Sequence, residues 1–448
     1  MHDRIAPAVL LLPILCSIAG LTAQDVVAPV APKHPNLVVR GFANAETERP
    51  AVTADELIVR FRSIVDPEVL REVCAIVGIE HADRGLDGSF EVLRVPADQV
   101  EVWLAWLDAQ PEIELVERNP FCHTTVAPND PYYAPYQWNF LNRGALSNGR
   151  VSNNGVQAEA AWPTSTGSGV VVAVVDTGVA YENYSTFAIA PDLVGRTFVS
   201  PYNAITGTTH ANDDNSHGTH VAGTIGQVTN NGLGVAGLAH NCSIMPVKVL
   251  NSAGSGSHAQ IANGINWAAN NGAKVINMSL GGSTGSTTLQ NAVDYAWSRG
   301  VVICAATGNT GRSGVSYPAR YTNCIAVGAT RFDGNRAGYS TWGTGIDVVA
   351  PGGDTSVDQN GDGYGDGILQ QTFASGTPTA FSYYFFQGTS MATPHVAAIA
   401  ALVRAYRPTY TNTQTRSAIE TSCVDRGSAG YDTRYGYGLV DAATALTR

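Results

Sequence analysis

The sequence predicts an α/β protein in which a large domain is built on a mainly parallel sheet with helices on both faces, preceded by a small α+β domain. Beyond about residue 129, near-continuous apolar runs alternate with helix-like segments, which is the pattern of parallel strands covered on both faces. Residues 52–122 carry a separate, shorter alternation of strands and helices. A chain of 448 residues also exceeds the size that one hydrophobic core usually supports.

Composition narrows the class of partner. Apolar residues make up 44% of the chain and charged residues 14%, as in a globular protein that buries much of its chain. The formal net charge is −11 and the sequence has no cluster of Lys and Arg, whereas a nucleic-acid partner would require a basic face. We therefore expect no nucleic-acid partner.

The N-terminus has the pattern of a secretory signal peptide. In residues 1–23 an early Arg is followed by an apolar run and then by small residues. Leu15 stands before Cys16 where a lipoprotein signal would have a small residue, so lipidation is not expected, and no later segment resembles a transmembrane span. Residues 24–51, rich in Pro, Ala and Val, are typical of a linker. We expect a secreted monomer with no membrane partner.

The small domain is predicted from its periodicity as a β-α-β-α-β unit. Its elements are a strand at 56–61, a helix at 66–78, a strand at 89–96, a helix at 97–110 and a strand at 113–120. It contains no candidate catalytic cluster. Residues 123–128 follow the small domain, and their composition predicts an exposed, cleavable joint.

The large domain, 129–448, alternates strands and helices. Apolar runs predict strands at 170–176, 243–250, 273–280, 301–307, 324–330 and 346–351. Amphipathic segments predict helices at 258–271, 288–300 and 393–406.

Three polar residues stand where strands end or helices begin, which is where functional groups gather in open α/β sheets. Asp176 closes a strand, His217 begins a helix-like segment, and Ser390 follows a glycine turn that leads into a helix. Taken singly, Asp176 and Ser390 could be helix N-caps. His217 and His220 could be a zinc pair, although the hydrolytic zinc signature spaces its histidines by four and places a Glu between them.

Taken together, the three residues supply a nucleophile, a base that accepts its proton, and a carboxylate that orients the base. An α/β-hydrolase esterase would need a GxSxG elbow and the order Ser, Asp, His, and Ser390 has neither. A non-catalytic exported binding protein on the scaffold of such an enzyme is the alternative, and it would require the loss of a catalytic residue.

The three motifs VVDTGV, HGTHVAGT and GTSMATPHVA, in this order, resemble those of subtilisin-like serine proteases over roughly residues 129–448. The resemblance implies a three-layer subtilisin-like fold and peptide-bond hydrolysis, with Asp176, His217 and Ser390 as the triad and His220 as a structural residue. It also implies that Asn309 in AATGNTG donates to the oxyanion, although the family usually has Ala where Thr307 stands.

The same resemblance implies how polypeptide substrates bind. Two segments would sandwich an extended substrate by adding it as a β-strand; they are Gly254, Ser255 and Gly256, and Ser279, Leu280 and Gly281. Ser316 stands where some relatives have Gly and should narrow the floor of the primary pocket. No acidic residue occurs in these pocket segments, so we expect broad specificity with apolar or aromatic residues before the cut.

Residues 52–122 resemble the family's inhibitory propeptide, which has a ferredoxin-like fold. The resemblance implies that the chain is made as a zymogen, with its own propeptide as an intramolecular inhibitor. The ending VERNP, followed by the joint, fits a segment that fills the active cleft and is then cut.

Structural calcium is implied at two places. Resemblance to thermitase-like proteins assigns one site to Asp130, Asp192 and Asn231 through side chains and to Val228, Leu233 and Val235 through carbonyls. Independently, residues 358–369 have the spacing of an EF-hand loop, with oxygen ligands from Asp358, Asn360, Asp362, Tyr364 and Asp366. Leu369 stands where that loop would have its Glu, and a metal-free surface loop is the alternative.

Seven cysteines are scattered without a CxxC pair, so a zinc ribbon or thioredoxin motif is not expected. Export would permit up to two disulfides among Cys242, Cys304, Cys324 and Cys423. The sequence does not fix their connectivity.

Overall fold

The computed structural model describes residues 52–63, 66–96, 99–120, 127–140 and 154–448. The predicted signal peptide and linker at 1–51, and most of the predicted joint, lie outside the described residues. Among the described helices, none combines the length and the apolar composition that a membrane span needs.

The small domain is a four-stranded antiparallel sheet with two helices. Its elements are β1 Val52–Phe61, α1 Pro67–Val77, β2 Glu80–Arg84, β3 Glu91–Arg94, α2 Val100–Asp108 and β4 Ile113–Pro120. The strand order β2-β3-β1-β4 and the β-α-β-β-α-β chain order are those of a ferredoxin-like fold. The sequence pattern missed β2, because its residues EHADR show no apolar alternation.

Local signals explain where α1 begins and ends. The Asp66 carboxylate accepts a hydrogen bond from the Glu68 N–H, Pro67 occupies the first helical position, and Gly78 closes the helix with φ +79°. The domain has its own core, which includes Leu57, Val59 and Leu93.

Besides a 3₁₀ helix at Pro191–Leu193, the large domain contains the remaining described α-helices and strands. They are α3 Tyr133–Tyr136, α4 Ala158–Ala161, β5 Val171–Asp176, β6 Tyr202–Asn203, α5 His217–Gly226, β7 Ser243–Lys248, α6 His258–Asn270, β8 Val275–Met278, α7 Thr287–Ser298, β9 Val302–Ala306, β10 Ile325–Thr330, β11 Val348–Pro351, β12 Ile368–Phe373, β13 Phe381–Phe386, α8 Thr389–Tyr406, α9 Asn412–Thr421 and α10 Ala442–Leu446.

Seven strands form one parallel sheet in the order β11-β10-β9-β8-β5-β7-β6. Successive residues of β5 pack into different cores: Val172 and Val174 join the core that contains α5 and α8, whereas Ala173 and Val175 join the core that contains α6 and α7. The sheet is therefore buried on both faces, and the predicted three-layer α/β fold is confirmed.

The strands β12 and β13 form an antiparallel pair outside the parallel sheet. This pair was not predicted from the sequence, because β12 carries two consecutive glutamines, Gln370 and Gln371, which are both buried. The pair packs against α5 and brings the chain back to the start of α8.

Candidate active site

Asp176 and His217 lie together at the carboxyl end of the parallel sheet. His217 Nδ1 is 2.6 Å from Asp176 Oδ1, which also accepts a 2.7 Å hydrogen bond from the Thr177 N–H. Asp176 is fully buried, and the His217 side chain is 12% exposed. Burial would lower the pKa of His217, but the charge and hydrogen bond of Asp176, with the nearby charge of Asp213, outweigh it and raise that pKa above its ordinary value.

The first turn of α5 packs directly onto the loop that follows β5. A Cβ at Gly218 would lie 2.1 Å from the carbonyl oxygen of Gly178, so this close approach requires glycine. The contact explains the glycine after His217 in the HGTH motif. It also fixes His217 next to the strand that carries Asp176.

Asp213 is a buried residue that the sequence analysis did not single out. Its Oδ1 accepts hydrogen bonds from the Thr177 hydroxyl and the Ser216 N–H, and its Oδ2 accepts from the Thr219 N–H and hydroxyl. One carboxylate therefore joins the end of β5 to the first turn of α5. The signal in the sequence is the DDNSH stretch, where an aspartate stands four residues before His217.

Ser390 lies in the first turn of α8, after Gly388 with φ +147°. Pro394 lacks the N–H that would bond the Ser390 carbonyl within the helix, and that carbonyl instead accepts a 2.7 Å hydrogen bond from Ser279 Oγ. The Ser390 hydroxyl donates to the Ser279 carbonyl at 3.2 Å. Both bonds hold the predicted nucleophile at the end of β8.

The two halves of the predicted triad lie on neighbouring strands. Val174 of β5 pairs with Asn277 of β8. Two residues further along each strand, this register places Asp176 opposite Ser279. No hydrogen bond joins His217 to Ser390 among the described residues, because the serine hydroxyl is turned to Ser279. Such bonds are often absent before substrate is bound.

Asn309 contacts the start of α8. Its Oδ1 accepts hydrogen bonds from the Thr389 N–H and hydroxyl, both at 2.9 Å, which leaves the amide N–H groups as donors. Thr307, the departure from the family pattern, is fully buried and donates to the Thr341 carbonyl at 2.9 Å. Its hydroxyl is thus satisfied inside the structure.

The predicted substrate segments border a small apolar cavity. The cavity has a volume of about 80 Å³, and its wall includes Leu250, Ile261, Leu280 and Leu289, together with the predicted substrate residues Gly256 and Gly281. The backbones of Leu280 and Gly281 make no hydrogen bond with any described residue. An extended peptide could therefore pair with this edge.

Ser316 lies between two glycines of the predicted pocket. A Cβ at Gly281 would be 3.1 Å from Ser316 Cβ, and a Cβ at Gly308 would be 2.5 Å from Ser316 Oγ. The serine side chain thus fills the space beside both glycines. On the opposite segment, Ser255 accepts the Asn251 N–H and Gly254 donates to the Asn251 carbonyl, which closes a turn.

His220 is fully buried inside α5 and stacks on Phe386, with 4.3 Å between ring centroids. Its Nε2 lies 3.0 Å from the Ile368 carbonyl and 3.1 Å from the Tyr384 carbonyl. Burial lowers the pKa of His220 to about 3. These contacts make it a neutral packing residue that joins α5 to the β12–β13 pair.

The residues predicted for the first calcium site lie together. Asp130 Oδ2 accepts the Asn230 N–H, Asp192 Oδ2 accepts the Val235 N–H, and the Val228 N–H donates to the Asp192 carbonyl. Burial, with the charge of Asp130 added, raises the pKa of Asp192 to about 7. Burial raises the pKa of Asp130 to about 6.

Two observations show how well this site suits a cation, one favourable and one unfavourable. Asp130 Oδ1 is buried without a hydrogen-bond partner among the described residues, as a cation ligand would be. Asn231, however, turns its Nδ2 to Asp192 Oδ1 at 2.8 Å and its Oδ1 to the Leu233 N–H. Binding a cation there requires the amide to turn over. Within the described ranges, no group of three His, Cys, Asp or Glu side chains is already gathered as a metal site.

The described cysteines are free thiols, including all four that export would permit to pair. Cys242, Cys304 and Cys324 are buried.

This fold and site define a class: a serine hydrolase on a parallel α/β sheet, with the serine in the first turn of a helix and a histidine paired with a buried aspartate. Residues 167–438 match the Peptidase S8 model, described as the subtilase family. The chain is 45% identical over 291 residues to an alkaline protease of Alkalihalobacillus alcalophilus, and this alignment covers 65% of this chain and 68% of that protein. It is 37% identical over 409 residues to a thermophilic serine proteinase of Bacillus sp. (strain AK1), which covers 90% of each.

A solved structure of a protease from Pseudoalteromonas arctica PAMC 21717 gives the same result. The two chains superpose with a TM-score of 0.61 at 35% identity, over 72% of this chain and 99% of that one. The chain belongs to the subtilase family and is a serine endopeptidase.

Proposed function

We propose that this protein is a secreted, broad-specificity endopeptidase that hydrolyses peptide bonds with Ser390 as nucleophile, His217 as general base and Asp176 as orienting carboxylate. The observation that carries the proposal is the 2.6 Å contact of His217 Nδ1 with the buried Asp176. This contact lies at the carboxyl end of the parallel sheet, where Ser390 is also held. This contact leaves Nε2 of the imidazole to exchange a proton.

The first step requires a rotation of the Ser390 side chain from the Ser279 carbonyl towards His217 Nε2. Ser390 Oγ then attacks the substrate carbonyl carbon while His217 takes the hydroxyl proton, and the carbonyl π electrons move to the oxygen. Asp176 keeps its hydrogen bond to Nδ1 and stabilises the imidazolium. Asn309 Nδ2–H donates to the oxyanion that forms.

The second half of the reaction returns the enzyme to its starting state. The C–N bond breaks, His217 gives its proton to the leaving amine, and an ester remains on Ser390. Water then attacks the ester, with His217 again taking a proton and passing it to Ser390 Oγ. The products are a carboxylic acid and an amine.

Substrate preference follows from the cleft. The open backbone at Leu280 and Gly281 pairs with an extended peptide whatever its side chains, which supports broad action on unfolded polypeptide. The apolar wall of Leu250, Ile261 and Leu289 favours apolar or aromatic side chains.

We also propose that residues 52–122 are an inhibitory propeptide and residues 1–23 a signal peptide. The small domain has a separate core. The alignment with the AK1 proteinase covers 90% of this chain, and the remaining tenth is shorter than residues 52–122. The alignment therefore includes at least part of the small domain. A full-length Ser390→Ala chain should keep this domain attached. Cleavage near residues 122–129 in that variant would show that another protease performs the processing.

Once the Asn231 amide turns over, calcium would fit the first site, with Asp130, Asp192 and Asn231 as side-chain ligands and Val228, Leu233 and Val235 as carbonyl ligands. When bound, it would supply the positive charge that two buried carboxylates otherwise lack. It would also fix residues 128–133, near the proposed mature N-terminus, to the 228–235 loop.

The test of the peptidase proposal is covalent labelling. A serine-directed inhibitor should modify Ser390 alone, and Ser390→Ala should lose essentially all hydrolysis of casein while retaining its circular dichroism spectrum. An unlabelled Ser390 in a folded chain would instead favour a binding protein on this scaffold.

A further inference from the structure

The loop between β11 and β12 carries a second set of oxygen ligands, separate from the Asp130–Asp192 site. Asp358 accepts hydrogen bonds from the N–H groups of Gly361, Asp362 and Gly363. Asn360 Oδ1 accepts from the Asp362 N–H. These bonds fix the course of residues 358–366, but they do not by themselves identify a ligand.

Two buried oxygen atoms in this loop have no hydrogen-bond donor among the described residues. Asp366 is 2% exposed; its Oδ2 accepts the Gln359 N–H at 2.7 Å, and its Oδ1 has no partner. Gln359 Oε1 is buried without a partner too, while its Nε2 donates to Asp333 at 3.0 Å. Both orphaned atoms are acceptors, and a cation in this loop would satisfy the charged one, Asp366 Oδ1.

The charge around Asp366 also lacks compensation. The carboxylates of Asp358 and Asp362 lie close enough to repel the charge of the buried Asp366 carboxylate. Arg331 interacts with the charge of Asp366, but its guanidinium is already paired with Asp333 and, at 3.8 Å, with Asp354. A group of oxygen ligands with excess negative charge favours a hard divalent cation. Calcium suits such a loop because it accepts a variable number of oxygen ligands in a flexible geometry.

Hydrogen bonds connect this loop to the turn before Ser390. The Asp366 carbonyl accepts the Asp354 N–H at 3.0 Å, and the next residue, Thr355, donates its N–H to Gln387 Oε1 at 2.7 Å. The Gly388 N–H donates to the Gly352 carbonyl at 3.0 Å. Residues 352–355 are thus held between the loop on one side and the nucleophile turn on the other.

We propose that residues 358–366 bind a calcium ion through Asp358, Asn360, Asp362, the Tyr364 carbonyl and Asp366, and that this ion holds the 352–355 segment on which the Ser390 turn rests. The catalytic part of this inference rests on the proposed peptidase function, and the binding part does not. Leu369, at the place of the EF-hand glutamate, is fully buried in β12 and supplies no ligand.

The binding test uses the full-length Ser390→Ala chain, freed of metal and titrated with calcium by equilibrium dialysis. Asp366→Asn should bind one calcium fewer than the parent, whereas Asp425→Asn, which changes an exposed carboxylate elsewhere, should bind as many. An Asp366→Asn chain that binds the parental number would overturn the proposal.

A second measurement covers the case in which Asp366→Asn fails to fold. Terbium bound in the loop would be excited through Tyr364. Tyr364→Phe keeps the carbonyl ligand but removes that phenol, so it should reduce the sensitised emission. Emission at the parental level in Tyr364→Phe would also overturn the proposal.

The catalytic readout uses the active enzyme, with active sites counted by a serine-directed titrant. Asp366→Asn should lower kcat on the order of tenfold with little change in KM, because the nucleophile turn loses its support. An unchanged kcat after loss of the calcium would show that the coupling is wrong. Failure of every variant to react with the titrant would count against the peptidase function and leave the binding result standing.

Discussion

Thr177 Oγ1 donates a 2.8 Å hydrogen bond to Asp213 Oδ1 and accepts one of 2.9 Å from the Gly218 N–H. Thr177 follows the buried carboxylate Asp176, and Gly218 follows His217. The Thr177–Asp213 pair therefore links the residues that flank Asp176 and His217. We expect Asp213 to be a positioning residue, since its hydrogen bonds to Ser216 and Thr219 hold the first turn of α5, which carries His217.

Asp213→Asn should destabilise the protein. An asparagine nitrogen cannot accept the bonds from the Thr219 N–H and hydroxyl, and each buried donor that loses its acceptor costs about 1–3 kcal/mol. Denaturant unfolding in the Ser390→Ala background measures the loss. Asp425→Asn is the control, because this carboxylate is exposed and its amide oxygen can still accept the Gly430 N–H; an equal loss in both variants would contradict the role given to Asp213.

The pH dependence of kcat/KM should show an acid limb above the ordinary imidazole pKa of about 6.5. His217 must be neutral to accept a proton, and its pKa is raised, so activity falls as the pH drops through that raised value. Removing the Asp213 charge should move the limb to lower pH. A limb that stays in place in Asp213→Asn would show that this charge does not act on His217.

Asn309→Asp should separate the two roles of Asn309. Aspartate keeps the oxygen that accepts the Thr389 N–H but has no N–H to donate to the oxyanion. We expect kcat to fall by about 10²–10³ with KM little changed. Stopped-flow or steady-state kinetics on a peptide anilide would measure this, and a KM effect alone would argue for a substrate-binding role.

Ser316→Gly should widen the primary pocket. The serine side chain packs against Gly281 and Gly308, so its removal opens space on both sides. The ratio of kcat/KM for large aromatic over small apolar side chains before the cut should rise by about tenfold or more. A peptide library profile gives the ratio; dominant cleavage after Arg or Lys in the parent enzyme would show that the predicted preference is wrong.

Chelation should lower the melting temperature and speed autolysis. A ligand that binds only the folded state stabilises it by about 2.7 kcal/mol at a hundredfold excess over Kd. Asp192→Ala should reproduce most of the loss, because Asp192 is fully buried, and Asp362→Ala a smaller part. Calorimetry with and without chelator tests this; identical melting, with no metal in the purified protein, would rule out both sites.

Six of the seven strands of the parallel sheet were predictable because each lies in a largely apolar run, whereas β6 is only the two residues Tyr202–Asn203 and gives no such signal. The pair β12–β13 was not, since Gln370 and Gln371 lie buried in β12, and a period-based analysis assigns consecutive glutamines to a loop. The helix α9 was missed for a similar reason, because its sequence NTQTRSAIET has little apolar character.

The candidate triad was visible in the sequence because each residue stands inside an extended motif. Asp213 and Lys248 were not, since their roles depend on contacts between distant segments. Lys248 is 5% exposed, and its ammonium donates to the Thr177 carbonyl and to Asp214. A lysine inside an apolar strand gives no sign of its partners until the fold brings them together.

The state of the buried thiols bears on how the catalytic domain responds to oxidants, alkylating agents and reductants. None of the described cysteines is bridged, and burial raises the pKa of Cys242 to about 12, with Cys304 and Cys324 shifted in the same direction. A thiol that is protonated and inaccessible reacts slowly with alkylating agents and oxidants. Because no disulfide joins the described cysteines, we expect dithiothreitol to leave the activity unchanged; an assay with and without the reductant measures this.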